Sequence, residues 1–379
     1  MKNIQLLNKI APCGTDLFDK AKYNVAETVD NPDAIMVRSA VMHEMEFGKN
    51  LKAIARAGAG VNNIPLDRCA EEGIVVFNTP GANANAVKEL AIAALMLASR
   101  DIVGGIEWAK TLKGTENVAK QVEKGKSKFG GVEIMGKTLG IIGLGAIGGM
   151  LANAAESLGM RVIGCDPYLS VDAAWHINAG VERVATFEDV FKMSDYISVH
   201  VPATAETKGF LNTKAFSMMK DGVRIINLAR ADLVNTDDLK AALESGKIAS
   251  YVTDFPTEET VDVKGIVAIP HLGASTEEAE DNCAVMAAKE LIDYLENGNI
   301  KNSVNYPMAV VPRNHKNRIC VLHANAEGLA SKITSLYSGD FTTKTRGNYA
   351  YTIVDTDNFS GDAVANTQAL EGVYRVNVI

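Results

Sequence analysis

Long apolar runs are missing from this 379-residue sequence. The longest, Leu90 to Ala98, is far shorter than the roughly 20 residues that a membrane-spanning helix needs. The first residues, MKNIQLLNKIAPCG, contain no apolar core of signal-peptide length. The sequence therefore predicts a cytoplasmic protein without a membrane span.

Cysteine is scarce and concentrated positive charge is missing. The five cysteines stand singly, without a Cys-x-x-Cys pair, which argues against a disulfide framework and a zinc site. We expect no metal. The formal net charge is −8 and no dense Lys/Arg stripe occurs, so nucleic acid and membrane surfaces are not expected partners. The cysteines are Cys13, Cys69, Cys165, Cys283 and Cys320.

The first part of the chain alternates short β-branched runs with helix-like segments, which predicts an α/β domain with a parallel sheet. A long helix is expected to begin near Asn85 and to lead into a second domain. The predicted strands are Ile4–Leu7, Ile35–Val37, Leu51–Ala55 and Ile74–Phe77.

From Thr138 onward six further apolar runs predict a second doubly wound parallel sheet of the Rossmann or flavodoxin type. A helix over about 276–297 is expected to return to the first domain, and 302–316 reads as a linker. The last part is β-rich and predicts a small separate α+β domain. The predicted domains are 1–86 with 275–306 for substrate binding, 87–274 for cofactor binding, and 316–379.

The segment LGIIGLGAIG places Gly143-x-Gly145-x-x-Gly148 after an apolar strand and at the start of a helix. The glycines permit a tight turn and a close approach to a pyrophosphate, and we expect Ala146 and Ile147 to contact the cofactor with them. The next strand run is followed by Asp166, whose carboxylate can bind ribose hydroxyls and repel a 2′-phosphate. These features predict NAD as the cofactor, in preference to NADP.

Three side chains follow later strand runs: Arg230, Glu258 and His271. The carboxyl ends of parallel strands line the crevice where ligands bind. A histidine can take the proton of a 2-hydroxy acid, a carboxylate can orient it, and a guanidinium can grip the substrate carboxylate. Each residue alone is more often a surface or structural group, but the three together predict hydride-transfer chemistry.

The segments INLARADLVNTDDL, TDFPTEE and AIPHLGASTEEAEDN, with GLGAIG and ISVHVPATAETKGFLN, resemble signatures of the D-2-hydroxyacid dehydrogenase family. This resemblance implies two α/β domains around a cleft, with Arg230, Glu258 and His271 as the catalytic set. Two departures are Ala231, where the family usually has glycine, and a short loop between the acid and the histidine. We assign further cofactor contacts to His200, Val201, Pro202, Thr207, Ala229, Arg230, Asp254, His271 and Gly273.

The segments VRSA, RAGAGVNN and NTPGANANAVKEL resemble the 3-phosphoglycerate dehydrogenase branch of that family. A phosphorylated 2-hydroxy acid has two anionic ends, so a cation besides Arg230 is required, and either Arg38 or Arg56 could supply it. The expected substrate contacts, besides Arg230 and His271, are Arg38, Ser39, Arg56, Gly58, Ala59, Gly60 and Asn83.

The segment after Asn317 resembles an ACT domain, a βαββαβ module, with His323 and Asn325 where amino-acid-binding groups can lie. SLYSGDFTTKTRGN leaves little room for the usual second strand. We therefore expect a module that assembles a homodimer or homotetramer but responds weakly to serine. The lysine-rich segment Lys110–Lys128 is interpreted as a solvated flap or a subunit contact.

Alternatives stay open at this point. The same residues fit a glyoxylate or hydroxypyruvate reductase or a D-lactate dehydrogenase, which the phosphate-facing arginines would distinguish. A corepressor or redox sensor that kept the dehydrogenase architecture belongs to a different class, and the presence of all three reactive groups argues against it.

Overall fold

The computed structural model describes residues 1–379, which form two compact units. Unit 1 comprises Met1–Asn83 and Glu277–Ile379, and unit 2 is the continuous stretch Ala84–Thr276. The predicted boundaries near residues 86 and 275 lie within a few residues of this division. Because residues 316–379 belong to unit 1 by their contacts, a separate third domain stays a prediction.

The beginning of unit 1 is a parallel five-stranded sheet in the order β2-β1-β3-β4-β5. The central strand β3 is buried along its whole length. The edge strand YNVA was not predicted because only Tyr23 in it is fully buried, so it lacks a long apolar run. The elements are β1 Lys2–Leu7, α1 Pro12–Thr15, β2 Tyr23–Ala26, β3 Ala34–Val37, β4 Ala53–Arg56, α2 Leu66–Glu71 and β5 Val75–Phe77.

Unit 2 begins with three helices and continues as alternating strands and helices. The helices are α3 Ala84–Ser99, α4 Ile102–Thr111 and α5 Val118–Gly125. Then follow β6 Thr138–Ile142, α6 Ala146–Ser157, β7 Arg161–Cys165, α7 Val171–Ala174, β8 Glu182–Arg183, α8 Phe187–Met193, β9 Tyr196–Val199, α9 Thr213–Met218, β10 Val223–Asn227, α10 Thr236–Glu244, β11 Ile248–Thr253 and β12 Ile266–Ala268.

The seven strands of unit 2 form a parallel sheet in the order β12-β11-β10-β9-β6-β7-β8. The strand order reverses between β6 and β9, which is the switch point where doubly wound sheets bind ligands. Six of the strands were predicted, and β8 was missed because its two residues are exposed. The segment Lys110–Lys128 contains α5 and the end of α4, and its interpretation as a solvated flap or a subunit contact stays a prediction.

The long helix α3 packs against the sheet of unit 2. Its alanines at 91 and 94 are fully buried with Leu95 in one cluster with residues of α6 and β6. Small side chains allow helices to approach closely, which explains why an alanine-rich segment forms this core helix.

The last part of unit 1 is helix α11, Glu277–Asn297, followed by an antiparallel sheet in the order β14-β15-β13-β16. Its element order is βαββαβ, so the expectation of a missing second strand is wrong. The second strand fits because the helix before it has only six residues and the hairpin turn after it has only two. In that turn Gly347 has a φ of +55°. The elements are β13 Asn317–Ala324, α12 Leu329–Thr334, β14 Asp340–Arg346, β15 Tyr349–Thr356, α13 Gly361–Gln368 and β16 Val373–Val378.

This antiparallel sheet shares a hydrophobic core with the first sheet. One of its faces places Cys320, Leu322 and Tyr351 in a cluster with residues of α11 and β4. The opposite face packs Ile319 and Val354 against α12. The sheet is therefore covered on both faces within unit 1. No helix of the protein combines the length and apolar character required to cross a lipid bilayer.

Candidate functional site

The glycine loop of unit 2 joins β6 to α6. Gly143 has a φ of +91°, and a Cβ added to it would lie 2.7 Å from the His200 carbonyl oxygen. A Cβ on Gly148 would lie 1.9 Å from the Gly143 carbonyl oxygen. Any larger residue at position 148 would therefore prevent the close packing of α6 against β6. No atom lies within 4 Å of the position that a Cβ on Gly145 would occupy. No side chain caps the N-terminus of α6 at this residue. The loop thus leaves space and free N–H groups for an anion.

Asp166 lies directly after β7 and is fixed beside this loop. Its Oδ2 accepts a hydrogen bond from the Leu144 N–H at 2.9 Å, and its Oδ1 accepts one from the Tyr168 N–H at 2.9 Å. Each oxygen keeps a further lone pair. The predicted ribose-binding carboxylate is therefore held in place by backbone donors.

Arg230 and His271 meet at one aromatic ring. The His271 ring centroid lies 4.6 Å from that of Phe255, and the Arg230 guanidinium carbon lies 5.9 Å from the same centroid. Both side chains are exposed. The structure thus brings two of the three predicted reactive groups together, and the sequence pattern had not singled out Phe255.

Asp254 directly precedes Phe255 and interacts electrostatically with both His271 and Arg230. It is 1% exposed; its Oδ2 accepts a hydrogen bond from the Gly273 N–H at 3.0 Å, and its Oδ1 has no partner. Burial raises the pKa of Asp254, and the charges of His271 and Arg230 oppose this shift. A buried carboxylate oxygen without a partner is costly and commonly marks a place for a ligand donor.

Glu258 is exposed, and no hydrogen bond or ion pair joins it to His271. It follows β11 after Asp254 and Phe255, as predicted, but its carboxylate is not in contact with the imidazole. The expected acid–base pair therefore stays a prediction for the substrate-bound protein, since catalytic hydrogen bonds often tighten only when substrate is bound.

Asn227 is a positioning residue that sequence reasoning missed. It is fully buried at the end of β10; its Oδ1 accepts from the Ala229 N–H, and its Nδ2 donates to the Arg230 carbonyl oxygen at 2.8 Å. The same amide donates to the Tyr251 hydroxyl, and burial raises the pKa of Tyr251 to about 12. An asparagine directly after the apolar pair Ile225 and Ile226 was the available signal.

The remaining predicted cofactor residues follow β9. The His200 ring nitrogen Nε2 and Ser198 Oγ share a hydrogen bond of 2.8 Å. Burial lowers the pKa of His200 to about 4, which favours the neutral imidazole at pH 7. Thr207 Oγ1 donates to the Pro202 carbonyl oxygen at 2.6 Å and closes the following turn. The Val201 side chain adjoins Gly143.

The predicted substrate residues lie in unit 1. Arg38 forms an ion pair with Glu280 of α11 at 2.6 Å, and both side chains are about two-fifths exposed. The backbone N–H of Ser39 donates to Asn8 Oδ1 at 3.0 Å. Arg56 Nε donates to the Arg38 carbonyl oxygen at 3.0 Å. The Arg56 side chain therefore lies beside the Arg38 backbone, and the role of either arginine in substrate binding stays a prediction.

The loop after β4 is shaped by glycine. Gly58 has a φ of +155°, and a Cβ there would lie 2.6 Å from Arg56 Nη1. Ala59 accepts a hydrogen bond through its carbonyl oxygen from Asn78 Nδ2 at 2.6 Å. Gly60 and Asn83 are partly exposed. The loop thus permits the guanidinium of Arg56 to fold over its backbone.

The two residues predicted to bind an amino acid in the last sheet are engaged internally. His323 is 1% exposed and hydrogen-bonds the Ala324 carbonyl oxygen at 2.7 Å and Thr352 Oγ1 at 2.9 Å. Asn325 Nδ2 donates to the Gly347 carbonyl oxygen. His323 is therefore a core residue with both ring nitrogens satisfied.

Residues 94–273 match the family described as "D-isomer specific 2-hydroxyacid dehydrogenase, NAD binding domain". This stretch, a little under half of the chain, is therefore similar to the NAD-binding domain of that family. It contains the glycine loop, Asp166 and all three predicted reactive residues.

The curated relatives agree with this assignment. The chain is 35% identical over 288 residues to D-3-phosphoglycerate dehydrogenase of Archaeoglobus fulgidus, covering 73% of this chain and 52% of that protein. It is 36% identical over 306 residues to D-3-phosphoglycerate dehydrogenase of Bacillus subtilis, covering 77% of this chain and 56% of that protein. The chain thus spans little more than half the length of these relatives.

Solved structures show the same fold. The NAD+-bound 3-phosphoglycerate dehydrogenase of Entamoeba histolytica aligns with a TM-score of 0.63 at 27% identity, covering 80% of this chain and 98% of that one. A glyoxylate reductase from Paecilomyes thermophila aligns with a TM-score of 0.66 at 25% identity, covering 80% of this chain and 98% of that one. The predicted α/β fold with two parallel sheets is confirmed.

Proposed function

We propose that the protein catalyses NAD-dependent oxidation of 3-phospho-D-glycerate to 3-phosphohydroxypyruvate, the first step of serine biosynthesis. The observation that carries the proposal is the clustering of Arg230, His271 and the buried Asp254 around Phe255 in a domain of this family. The curated relatives named D-3-phosphoglycerate dehydrogenase support the choice of substrate.

The residues of unit 2 fit NAD. The open space at Gly145 suits a pyrophosphate, Asp166 suits the ribose diol, and the unpartnered Asp254 Oδ1 suits an amide donor such as the nicotinamide carboxamide. When bound, NAD would accept the hydride from C2 of the hydroxy acid.

The protein's own groups would handle the proton and the charges. His271 accepts the C2 hydroxyl proton as the hydride leaves C2. The carbonyl group therefore forms without a free alkoxide intermediate. Arg230 binds the substrate carboxylate, and Asn227 holds the turn that carries it. Glu258 would favour the imidazolium once substrate closes the distance between the two side chains.

The substrate phosphate would bind in unit 1. Arg38 is paired with Glu280, and Arg56 donates a hydrogen bond to the Arg38 carbonyl oxygen. A phosphate would compete with that carboxylate for the guanidinium, and its greater charge favours the exchange.

Alternative substrates are separated by one panel of initial rates. Glyoxylate reductase is the second candidate, because a structure of that activity aligns over 80% of the chain. We expect high kcat/KM with NAD and 3-phospho-D-glycerate, and low values with D-lactate and D-glycerate. Higher kcat/KM for an unphosphorylated acid would reject the proposed substrate. NAD binding without turnover on any acid would favour the corepressor or sensor.

Replacing Asp166 by alanine should relax the choice of cofactor. The wild-type carboxylate hydrogen-bonds the ribose diol and repels a 2′-phosphate, so the kcat/KM ratio of NAD to NADP should fall by about tenfold or more in the variant. Initial rates with both cofactors measure this ratio. Equal efficiency of the two cofactors in the unmodified protein would contradict the role.

Arg38→Gln and Arg56→Gln should identify the phosphate-binding residue. Loss of the true partner should raise KM for 3-phospho-D-glycerate by roughly ten- to a hundredfold, a loss reduced from that of a fully buried pair because Arg38 is partly exposed. The matched Arg→Lys variants keep the charge and should lose less. Equal losses on D-glycerate would instead indicate a structural role.

A further inference from the structure

A cavity of about 610 Å³ lies within unit 1. One wall is a face of α11, and the other walls are Gly81–Ala82 and the segment 299–302. None of the residues assigned above to cofactor or substrate lines it. The polar lining residues are Asn282, Lys289, Glu290, Asp293, Asn299, Lys301 and Asn302.

Glu290 is the unusual member of this lining. Glu290 is 7% exposed. Its Oε1 accepts a hydrogen bond from Asn302 Nδ2 at 2.7 Å, whereas its buried Oε2 has no hydrogen-bond partner. Burial raises the pKa of Glu290 to about 8, and the hydrogen bond from Asn302 and the charge of Lys301 only partly oppose this. A buried carboxyl with one unsatisfied oxygen is costly for folding.

The neighbouring charged side chains supply no hydrogen-bond or ion-pair partner for Glu290 Oε2. Lys289 and Lys301 are exposed, and neither forms an ion pair with Glu290. Asp293 is fixed by two amides, because its Oδ1 accepts from Asn297 Nδ2 at 2.8 Å and from Asn299 Nδ2 at 3.0 Å. The cavity therefore has acidic groups in its wall and two ammonium groups at exposed positions.

A purely structural role would not need this acid. An apolar residue of similar size would avoid the cost of burying an acid whose second oxygen lacks a partner. Glu290 is ten residues beyond Glu280, about 15 Å along the helix, which separates it from the arginines that would bind substrate. The cost of Glu290 is thus unexplained by the site already described.

We propose that this cavity binds a small zwitterion, whose ammonium group bonds Glu290 Oε2 and whose anionic group lies between Lys289 and Lys301. The ammonium supplies the donor that the unpartnered oxygen lacks. Because an adjacent ammonium group favours the ionised form of a carboxyl, both signs of charge on the bound ligand meet their complement. A cavity of this size suits a small organic molecule.

Two asparagines connect the cavity to the rest of unit 1. Asn302 also accepts a hydrogen bond through its carbonyl oxygen from the Asn78 N–H, and Asn299 Oδ1 accepts from the Val311 N–H at 3.2 Å and from Arg318 Nη1 at 3.4 Å. An occupant would therefore contact residues that join the parallel sheet to the antiparallel one, and it should raise the thermal stability of unit 1.

Calorimetric titration of the full chain tests the proposal with named probes. Glycine, β-alanine, γ-aminobutyrate and phosphoethanolamine carry both charges at different separations, while ethanolamine and propionate each carry one. We expect at least one zwitterion to bind about tenfold more tightly than either single-charge probe. Glu290→Gln, which keeps the acceptor for Asn302, should weaken this binding about tenfold or more. The control Glu278→Gln, an exposed acid on the same helix, should bind as the wild type does.

A melting series against pH gives a second readout. The folded-state pKa of Glu290 is raised above its usual value of 4.5, so the wild type should lose stability relative to Glu290→Gln as the pH rises from about 5 to about 8. Lys289, Asp293 and Lys301 are the charged groups that line the same cavity, and both proteins retain them. Absence of zwitterion binding, equal binding of ethanolamine, or unchanged binding by Glu290→Gln would each overturn the proposal.

Discussion

Replacing His271 by alanine is expected to reduce turnover of 3-phospho-D-glycerate about 10²–10⁴-fold, the usual contribution of a positioned general acid or base. The imidazole is exposed and held against Phe255, so its removal should leave the fold and NAD binding intact. Turnover and NAD titration of the same preparation measure both properties. His176→Ala is the matched control, because His176 is an exposed histidine of unit 2 without a proposed role.

Glu258→Gln separates a coupled pair from two independent side chains. If Glu258 favours the imidazolium in the substrate complex, the variant should lower kcat and move the acidic limb of the kcat profile to lower pH. Near-normal turnover by His271→Ala would reject the proposed base, whereas an unchanged profile in Glu258→Gln would reject only the coupling.

Asp355→Asn is expected to lower the free energy of unfolding by about 3–5 kcal/mol, because it breaks a buried ion pair and leaves the other charge uncompensated. Arg318 and Asp355 are 0% and 2% exposed and form a bidentate pair at 2.7 and 2.6 Å. The guanidinium also donates to the carbonyl oxygens of Asn297 and Pro312. Denaturant unfolding followed by circular dichroism measures the loss.

Two further variants test whether the burial of the ion pair causes this loss of stability. Arg161 and Glu182 form a bidentate pair of similar geometry, at 2.8 and 2.7 Å, but on the surface, so Glu182→Gln should change stability little. The double variant Arg318→Met/Asp355→Leu removes both buried charges and should recover much of the loss. Unfolding of Asp355→Asn at wild-type denaturant concentrations would contradict the expected cost.

Much of the fold was predictable, because central strands of both parallel sheets are short runs of wholly buried apolar residues. The elements that escaped prediction lie at sheet edges. Strand β14 is mostly exposed and reads DFTTKTR, which has no apolar alternation, so its pairing with β15 decides its structure. The same reasoning applies to β2 and β8.

The candidate site was predictable as residue types at strand ends, since a parallel sheet brings these ends to one edge. Which groups are in contact was not predictable. Phe255 between Arg230 and His271 depends on the packing of two loops, and the burial of His323 depends on the antiparallel pairing of β13. The cavity at Glu290 depends on Asn302 and Gly81, which lie far apart in sequence. Contacts of this range carry no local signal.

The division of unit 1 between the two parts of the chain has a consequence for folding during synthesis. The parallel sheet of Met1–Asn83 must wait for α11, which follows the whole of unit 2, before its core can close. At usual rates of translation this delay is on the order of 10 s or more. Unit 2 is continuous and can fold first, while the early sheet keeps apolar surface and strand edges open. We therefore expect aggregation to begin from the nascent first sheet, and chaperones that shield such edges to raise the yield of the native protein.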